Sequence, residues 1–383
     1  MASIYLDHAA TTALDPEVRA AMEPWLGDTP ANPSSLHRAG VAAREALDRA
    51  RARVARAAGA SPERVVFTSG GTEADNLAVL GPARARARRG RHVVLGPTEH
   101  AAVRGAAEAL RAEGFELETA RLDAGGALDL EHLAALLRAD TVLVAQMLVG
   151  NELGNVFPVA AVARLVRARA PQAVLVVDAV QALGKLELSL AALGADALTL
   201  SAHKVHGPKG AGALVTAREL SLRALIHGGG QESGLRAGTE NVAAIVGFGR
   251  AAELAEERRE PARAHLEELR RAFVAGLGRL PSARVLAIGP ERVPGIVPVL
   301  FRGVPAEVRL HHLDARGLAV SAGSACQARK GGISPALSAA GLDDDQARRV
   351  LRFSFAGTTT LDEIGAALRV LEAVERELEA PRP

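Results

Sequence analysis

Predominantly apolar runs alternate with helical patterns through the first two thirds of the chain. The runs lie at residues 65–68, 93–95, 141–149, 173–177, 197–200 and 211–215. Runs with so few polar positions are typical of strands buried on both faces. Because helical segments separate them, they predict a mostly parallel sheet with helices on both sides.

Local signals predict where several helices begin. Asp15 followed by Pro16 suits the N-cap and the first position of a helix. Residues 37–58 then show a long, arginine-rich helical pattern. Near the other end of the chain, Thr360 and Glu363 have the spacing of a capping box. We therefore expect helices to start after Asp15 and after Thr360.

The last third of the chain is organised differently. A helical pattern from about residue 242 to residue 280 predicts one long helix, and shorter elements follow near 297–300, 306–316, 318–321 and 348–355. This change predicts an α/β protein of two domains. We expect residues 15–255 to form a large domain around the mostly parallel sheet. Residues 1–14 and 256–383 are expected to form a smaller α+β domain.

Polar side chains follow the C-terminal ends of several predicted strands. They are Thr72, His100, Asn151, Asp178, Gln181, Ser201, His203 and Lys204. Because parallel strands end at the same edge of a sheet, and α/β sheets hold ligands there, these residues predict one pocket.

The lysine in this set has the chemistry of a cofactor anchor. A lysine at its ordinary pKa is almost entirely ammonium at neutral pH, so it becomes a nucleophile only when desolvated or converted to a Schiff base. Asp178, at the end of a buried strand, suits a cationic ring nitrogen, and His100 suits stacking on a flat ring. Together they predict pyridoxal phosphate bound to Lys204.

A glycine pair stands between the run at 65–68 and the helical pattern after it. Ser69–Thr72 therefore places backbone N–H groups at a helix N-terminus, where they favour a phosphate. The stretch lacks the glycine spacing of a nucleotide P-loop and of a dinucleotide site, which disfavours a nucleotide-binding module. Taken by itself, the stretch also fits an ordinary strand-to-helix turn.

Composition narrows the functional classes. The chain has 383 residues, with 46 Lys and Arg against 44 Asp and Glu, so its net charge is only +2. This balance, with 3% aromatic residues, argues against a dedicated nucleic-acid or anionic-membrane binder. Cys326 is the one cysteine, which excludes an intramolecular disulfide and fits a reducing compartment. Without a signal peptide pattern or a bilayer-length apolar run, we predict a cytoplasmic protein.

Cys326 has the surroundings of a reactive thiol. It stands in the small-residue, glycine-rich stretch 321–332, which we expect to be a mobile loop. A thiol at its ordinary pKa is only about 3% thiolate at pH 7, and we hypothesise that Arg329 and Lys330 lower that pKa. The alternative is a buried cysteine that acts as a small apolar residue.

The motifs of this chain, taken together, resemble those of cysteine desulfurases of the NifS/IscS type. These belong to the class V aminotransferase-like branch of the fold-type I pyridoxal-phosphate enzymes, the PLP-transferase fold. The resemblance extends over nearly the whole chain in the family's order. The matching stretches are Tyr5–Thr12, Phe67–Asn76, Thr98–His100, Asn151–Glu152, Val177–Gln181, Ser201–Lys204, Gly207–Gly210, Arg236–Thr239, Ser321–Cys326 and Arg352–Ser354.

The resemblance implies a cysteine desulfurase, which removes sulfur from L-cysteine and releases L-alanine. Lys204 would carry the cofactor as a Schiff base and move protons, His100 would stack on its ring and act in acid–base steps, and Cys326 would receive the sulfur as a persulfide. The other implied contacts are Asp178 with the ring nitrogen, Asn151 and Gln181 with the ring and its phenolic oxygen, Gly71, Thr72, Ser201 and His203 with the phosphate, and Asn32 and Arg352 with the substrate carboxylate.

The resemblance also implies partners. These are a second copy of the chain, whose Thr239 would reach the phosphate, and a sulfur acceptor such as an iron–sulfur scaffold. The resemblance further implies a transient iron–sulfur contact at Cys326. Two departures from the family are Ser233, where arginine is more common, and the bulky, basic Gln327–Lys330. Three alternatives stay open: a selenocysteine lyase, another aminotransferase-like enzyme of the class, or a non-enzymatic sulfur-relay subunit.

Overall fold

A computed structural model describes residues 4–27, 30–323 and 333–379. The strands are β1 (Ile4–Tyr5), β2 (Val65–Thr68), β3 (His92–Leu95), β4 (Glu116–Thr119), β5 (Thr141–Ala145), β6 (Val174–Asp178), β7 (Ala197–Ser201), β8 (Gly212–Thr216), β9 (Ala283–Val285), β10 (Ile296–Phe301), β11 (Leu318–Ala319) and β12 (Val350–Ser354). The helices are α1 (Pro16–Met22), α2 (Arg38–Ala57), α3 (Gly71–Ala85), α4 (Ala101–Ala112), α5 (Leu130–Leu136), α6 (Val159–Arg169), α7 (Leu190–Leu193), α8 (Val242–Glu257), α9 (Arg259–Leu277), α10 (Ala306–Asp314), α11 (Pro335–Ala339), α12 (Asp344–Ala347) and α13 (Leu361–Glu379).

The larger sheet confirms the predicted α/β architecture. Its strand order is β2-β8-β7-β6-β5-β3-β4. Neighbouring strands from β4 through β7 are parallel, and β8 is antiparallel to both of its neighbours. The parallel strands therefore present their C-terminal ends at one edge, as the pattern of polar residues predicted.

Alternate residues of each central strand enter opposite layers of the core. In β6, Leu175 and Val177 pack with Phe248 of α8. Val174 and Val176 pack on the other face with helices α3 and α4. The period of two and the helices on both faces explain why these strands contain almost no polar positions.

The C-terminal part builds a second sheet, with the order β12-β10-β9. Its core includes Phe273 of α9, Phe353 of β12 and Leu371 of α13. The N-terminal arm joins this core, because β1 pairs with β11 and Leu6 is buried there. This packing supports the division into residues 15–255 and residues 1–14 with 256–383, which stays a prediction.

The single long helix predicted at 242–280 is wrong. The chain forms α8 and α9, with a break at Arg258, whose φ and ψ are −97° and 1°. Pro261 explains the break, since a proline ring clashes with the carbonyl four residues earlier. The strand predicted at 141–149 is also shorter. The strand ends at Ala145; the Met147 N–H donates to the Glu99 carboxyl, whereas the Leu148 N–H still donates to the Asp178 carbonyl of β6.

The expected helix starts are present. The Asp15 side chain accepts a hydrogen bond from Glu17 N–H at 2.8 Å, with Pro16 in the first turn. Thr360 and Glu363 exchange the two hydrogen bonds of a capping box. Within the described residues, none of the helices has the length and apolarity needed to traverse a bilayer.

Candidate active site

Lys204 lies where β7 leaves the sheet. A short 3-10 turn, Ala202–Lys204, follows the strand directly. The Lys204 Nζ donates hydrogen bonds to the carbonyls of Ala9 and Ala10, both at 2.7 Å. The N-terminal arm therefore closes over the lysine and holds its amine at the edge of the sheet.

Asp178 ends the neighbouring strand β6 and is 7% exposed. Its Oδ1 accepts a hydrogen bond from Val180 N–H at 2.9 Å. Burial raises the pKa of this carboxyl, whereas the nearby His100 and Lys204 charges act to lower it. A cationic ring nitrogen would relieve the cost of this buried carboxylate, so the group suits pyridoxal phosphate.

The start of α3 and the end of β7 lie side by side and form a cradle, which consists of Gly71 and Ser201. A methyl group on Gly71 would lie 3.3 Å from Ser201 Cβ, so the helix N-terminus faces this serine closely. Ser201 Oγ is buried and has no hydrogen-bond partner in the described structure. An orphaned hydroxyl beside the N-terminus of a 15-residue helix fits the phosphate of the cofactor. Thr72, the next residue of α3, is exposed.

His100 is both an N-cap and a cavity residue. Its Nδ1 accepts a hydrogen bond from Ala102 N–H at 3.2 Å, so the neutral imidazole carries its proton on Nε2. Burial lowers the pKa of His100, whereas the Asp178 carboxylate acts to raise it. The active-site cavity, of about 120 Å³, is lined by Ala9, Ala10, Glu99, His100, Ala101, Arg104, Asn151, Glu152, Lys204 and Arg352.

Gln181 and His203 also meet the N-terminal arm. Gln181 is 4% exposed, and its Nε2 donates to the Ala9 carbonyl at 2.8 Å, the same carbonyl that accepts from Lys204. The His203 ring contacts Thr11 Oγ1 at 3.1 Å. Burial, with the Lys204 charge, lowers the pKa of His203 to about 4. The ring is therefore neutral at pH 7.

Arg352 reaches the same cavity from the smaller sheet and is 3% exposed. Its Nη1 donates to the Asn151 carbonyl and its Nη2 to Asp7 Oδ1, both at 2.8 Å. Its Nε is buried without a hydrogen-bond partner in the described structure. The guanidinium is thus oriented by the protein while keeping donor capacity for a carboxylate.

The described contacts do not place every predicted residue in the cavity. Asn32 is exposed, and its Oδ1 accepts from Ser34 N–H at 2.9 Å in a local turn. Thr239 is exposed on a loop that two ion pairs anchor, Arg51 with Glu232 at 2.6 Å and Arg236 with Glu73 at 3.0 Å. Ion pairs of Glu232 and Arg236 therefore hold this loop, although Ser233 stands where arginine is more common in the family.

Cys326, Arg329 and Lys330 lie outside the described residues. The segment that leads to the cysteine does reach the site: Ser321 and Arg352 exchange backbone hydrogen bonds at 2.7 and 3.2 Å. Within the described part of the chain, no cluster of three or more metal-ligating side chains is present.

Sequence reasoning missed two buried acidic residues near the site. Glu99 is 1% exposed, and burial raises the pKa of its carboxyl to about 8. Asp75, which accepts from Thr199 Oγ1 at 2.6 Å, is also buried, and its pKa is raised well above the ordinary value by that burial. The local sequence around Asp75 gave no signal of this burial, because Thr72, Glu73 and Asn76 beside it are also polar.

Comparison with known proteins agrees with this geometry. The chain belongs to the aminotransferase class-V family, whose sequence profile matches residues 4–366. It is 38% identical over 382 residues to cysteine desulfurase IscS of Dictyoglomus turgidum, covering 99% of this chain and 96% of the relative. Enzymes of this family generally use pyridoxal phosphate.

Solved structures give the same grouping. One described as a NifS-like protein has a TM-score of 0.92 at 35% identity, covering 98% of this chain and 100% of that one. Another, described as SspA in complex with cysteine, has a TM-score of 0.82 at 32% identity over 94% of this chain and 100% of that one. Within its family, the chain is a cysteine desulfurase of the NifS/IscS type.

Proposed function

We propose that this cysteine desulfurase removes sulfur from L-cysteine with pyridoxal phosphate held as a Schiff base on Lys204. It releases L-alanine and leaves the sulfur as a persulfide on Cys326. The observation that carries the proposal is the meeting of Lys204, Asp178 and the Gly71–Ser201 cradle at one edge of the sheet. When bound, the cofactor supplies an electron sink for bond breaking at the substrate carbons.

The residues of the chain have the following roles around the cofactor and the substrate. Ser201 and the α3 N-terminus hold the phosphate, and Asp178 balances the charge of the ring nitrogen. His100 stacks on the ring and exchanges protons with the substrate, while Arg352 orients its carboxylate. The Cys326 thiolate attacks the substrate sulfur, so that an S–S bond forms, the Cβ–S bond breaks and Cβ gains a proton.

We also propose a homodimer that passes the sulfur on. The ion pairs at Glu232 and Arg236 present Thr239 on the surface, where it suits the phosphate site of a second copy. The persulfide then transfers to an acceptor, such as an iron–sulfur scaffold protein. Light scattering of the wild type and a sulfur-transfer assay with candidate acceptors test these two points.

The decisive experiment measures alanine and sulfide from L-cysteine in the presence of a thiol reductant. The Lys204→Ala variant should lose both products and the visible absorbance of the bound cofactor. The Cys326→Ala variant should lose sulfide release yet keep that absorbance. The Lys209→Met variant, which removes an exposed lysine nearby, is the matched control. Full sulfide release by Cys326→Ala would favour a selenocysteine lyase or another enzyme of the class.

A further inference from the structure

A second, larger cavity lies beside the N-terminal arm. Its volume is about 360 Å³, which suits a small organic ligand. Of its lining residues, only Ala9 and Lys204 also line the active-site cavity. The cavity lies between the junction of α8 with α9, the turn after β6 and the stretch after β12. Nothing in the proposed reaction uses this space.

The walls are mostly apolar. They include Leu183, Val205, Leu254, Leu266, Ile296 and Phe355, which come from both cores of the protein. Surfaces of this kind favour the hydrocarbon part of a ligand, since each Å² removed from water contributes about 25 cal/mol.

Besides Lys204, a second lysine, Lys185, lines this apolar space. Lys185 Nζ donates to Gln181 Oε1 at 3.3 Å, and no ion pair joins it to a carboxylate among the described residues. An ammonium group has three N–H donors, so Lys185 can donate further hydrogen bonds besides the one to Gln181. Burial, with the charge of Lys204, lowers the pKa of Lys185 to about 8. The group therefore still carries its charge in roughly nine molecules of ten at pH 7.

Two other charged or titratable residues that line the cavity are engaged by the protein. Arg258 pairs with Asp15 at 2.7 Å, and His265 contacts the Thr359 carbonyl at 2.7 Å. Lys185 is therefore the cation that we assign to a ligand.

We propose that this cavity binds a small monocarboxylate with an apolar body. The carboxylate pairs with the Lys185 ammonium. The hydrocarbon lies against Leu254, Leu266 and Phe355. An anion offsets the cost of a cation held in apolar surroundings, and the apolar walls exclude a more highly charged ligand.

Three hydrogen bonds connect Lys185 with the catalytic lysine. Lys185 fixes Gln181 Oε1, Gln181 Nε2 donates to the Ala9 carbonyl, and that carbonyl accepts from Lys204. Neutralising Lys185 changes both the charge near Lys204 and the hold on Gln181. Occupancy of the cavity therefore tunes the active site without entering it.

Calorimetric titration of the purified holoenzyme at pH 7 tests the proposal with three probes of similar chain length. Hexanoate should bind, hexan-1-ol should bind at least about tenfold more weakly, and hexyltrimethylammonium, which cannot form a Schiff base with the cofactor, should give no signal, because the anion pairs with a cation. Lys185→Met should weaken hexanoate binding at least about tenfold, and Lys185→Arg should restore it. The exposed Lys209→Met is the charge-matched control and should bind as the wild type does.

Three results would overturn the proposal. They are no hexanoate signal up to about 20 mM, equal binding by wild type and Lys185→Met, or binding lost in Arg352→Met but kept in Lys185→Met. The last would place the anion in the active-site cavity. Because binding is measured without turnover, failure here leaves the proposed desulfurase reaction untouched.

Discussion

The buried carboxyl of Glu99 predicts a specific pH dependence of stability. Its Oε1 accepts from Met147 N–H at 2.6 Å, and its Oε2 is buried without a hydrogen-bond partner in the described structure. Burial, and then the charge of Asp178, raise its pKa from 4.5 to about 8. Between these values the folded protein keeps a proton that the unfolded chain releases. The free energy of unfolding therefore falls as pH rises through this window.

The size of the effect follows from proton linkage. Each pH unit inside the window lowers the free energy of unfolding by about 1.4 kcal/mol. From about pH 5.5 to about pH 7.5 the loss is roughly 3 kcal/mol. For a chain of 383 residues this corresponds to roughly 3 °C in melting temperature.

Melting temperatures of the cofactor-free wild type and Glu99→Gln across this pH range test the reasoning. Glutamine keeps the Oε1 acceptor and cannot ionise, so the variant should gain about 3 °C on the wild type as pH rises. An unpaired amide would shift the curve by a constant and leave its slope alone. Glu268→Gln, on an exposed part of α9, is the matched control and should run parallel to the wild type. A Glu99→Gln curve parallel to the wild type would refute the buried-acid argument.

Three further outcomes are expected. Arg309→Leu removes the ion partner, at 2.5 Å, of the buried Glu375, and it should lower the free energy of unfolding, measured with denaturant, by roughly 3–5 kcal/mol. The double variant Arg309→Leu, Glu375→Leu should regain part of this loss, and a loss below about 1 kcal/mol in the single variant would contradict the argument. Ser201→Ala should weaken pyridoxal phosphate binding about tenfold in an absorbance titration, and unchanged affinity would remove Ser201 from the cradle. Glu232→Gln weakens the acceptor of Phe67 N–H, so hydrogen exchange at this amide should quicken; unaltered exchange would argue against the anchor.

Strand and helix content was largely readable from the sequence because the central strands are buried on both faces. Val174–Asp178 and Ala197–Ser201 form at the apolar runs that predicted them. The edge strand Glu116–Thr119 was not predicted, since three of the four residues in its Glu-Leu-Glu-Thr sequence are polar and it carries little strand signal. The break at Arg258 was readable from Pro261 but was outweighed by the long helical pattern around it.

The residues of the candidate site were likewise predicted from the sequence only in part. Lys204, Asp178 and His100 were predicted because each follows a strand and bears a functional group with recognised chemistry. The carbonyls of Ala9 and Ala10, which hold the lysine amine, have no sequence signal, since every residue has such a carbonyl. Likewise, the Lys185–Gln181 contact depends on the turn after β6.

By itself, the sequence determined the order of the elements, the edge of the sheet at which polar groups gather and the kind of chemistry those groups allow. These follow from local periodicity and residue type, which act over a few neighbours. Only the tertiary structure decided that the N-terminal arm crosses to Lys204, that Arg352 reaches the cavity from another sheet and that Glu99 is buried. Each of these depends on contacts between residues far apart in the chain, and burial of a charge or a hydrogen-bonding group has no meaning until those contacts exclude water.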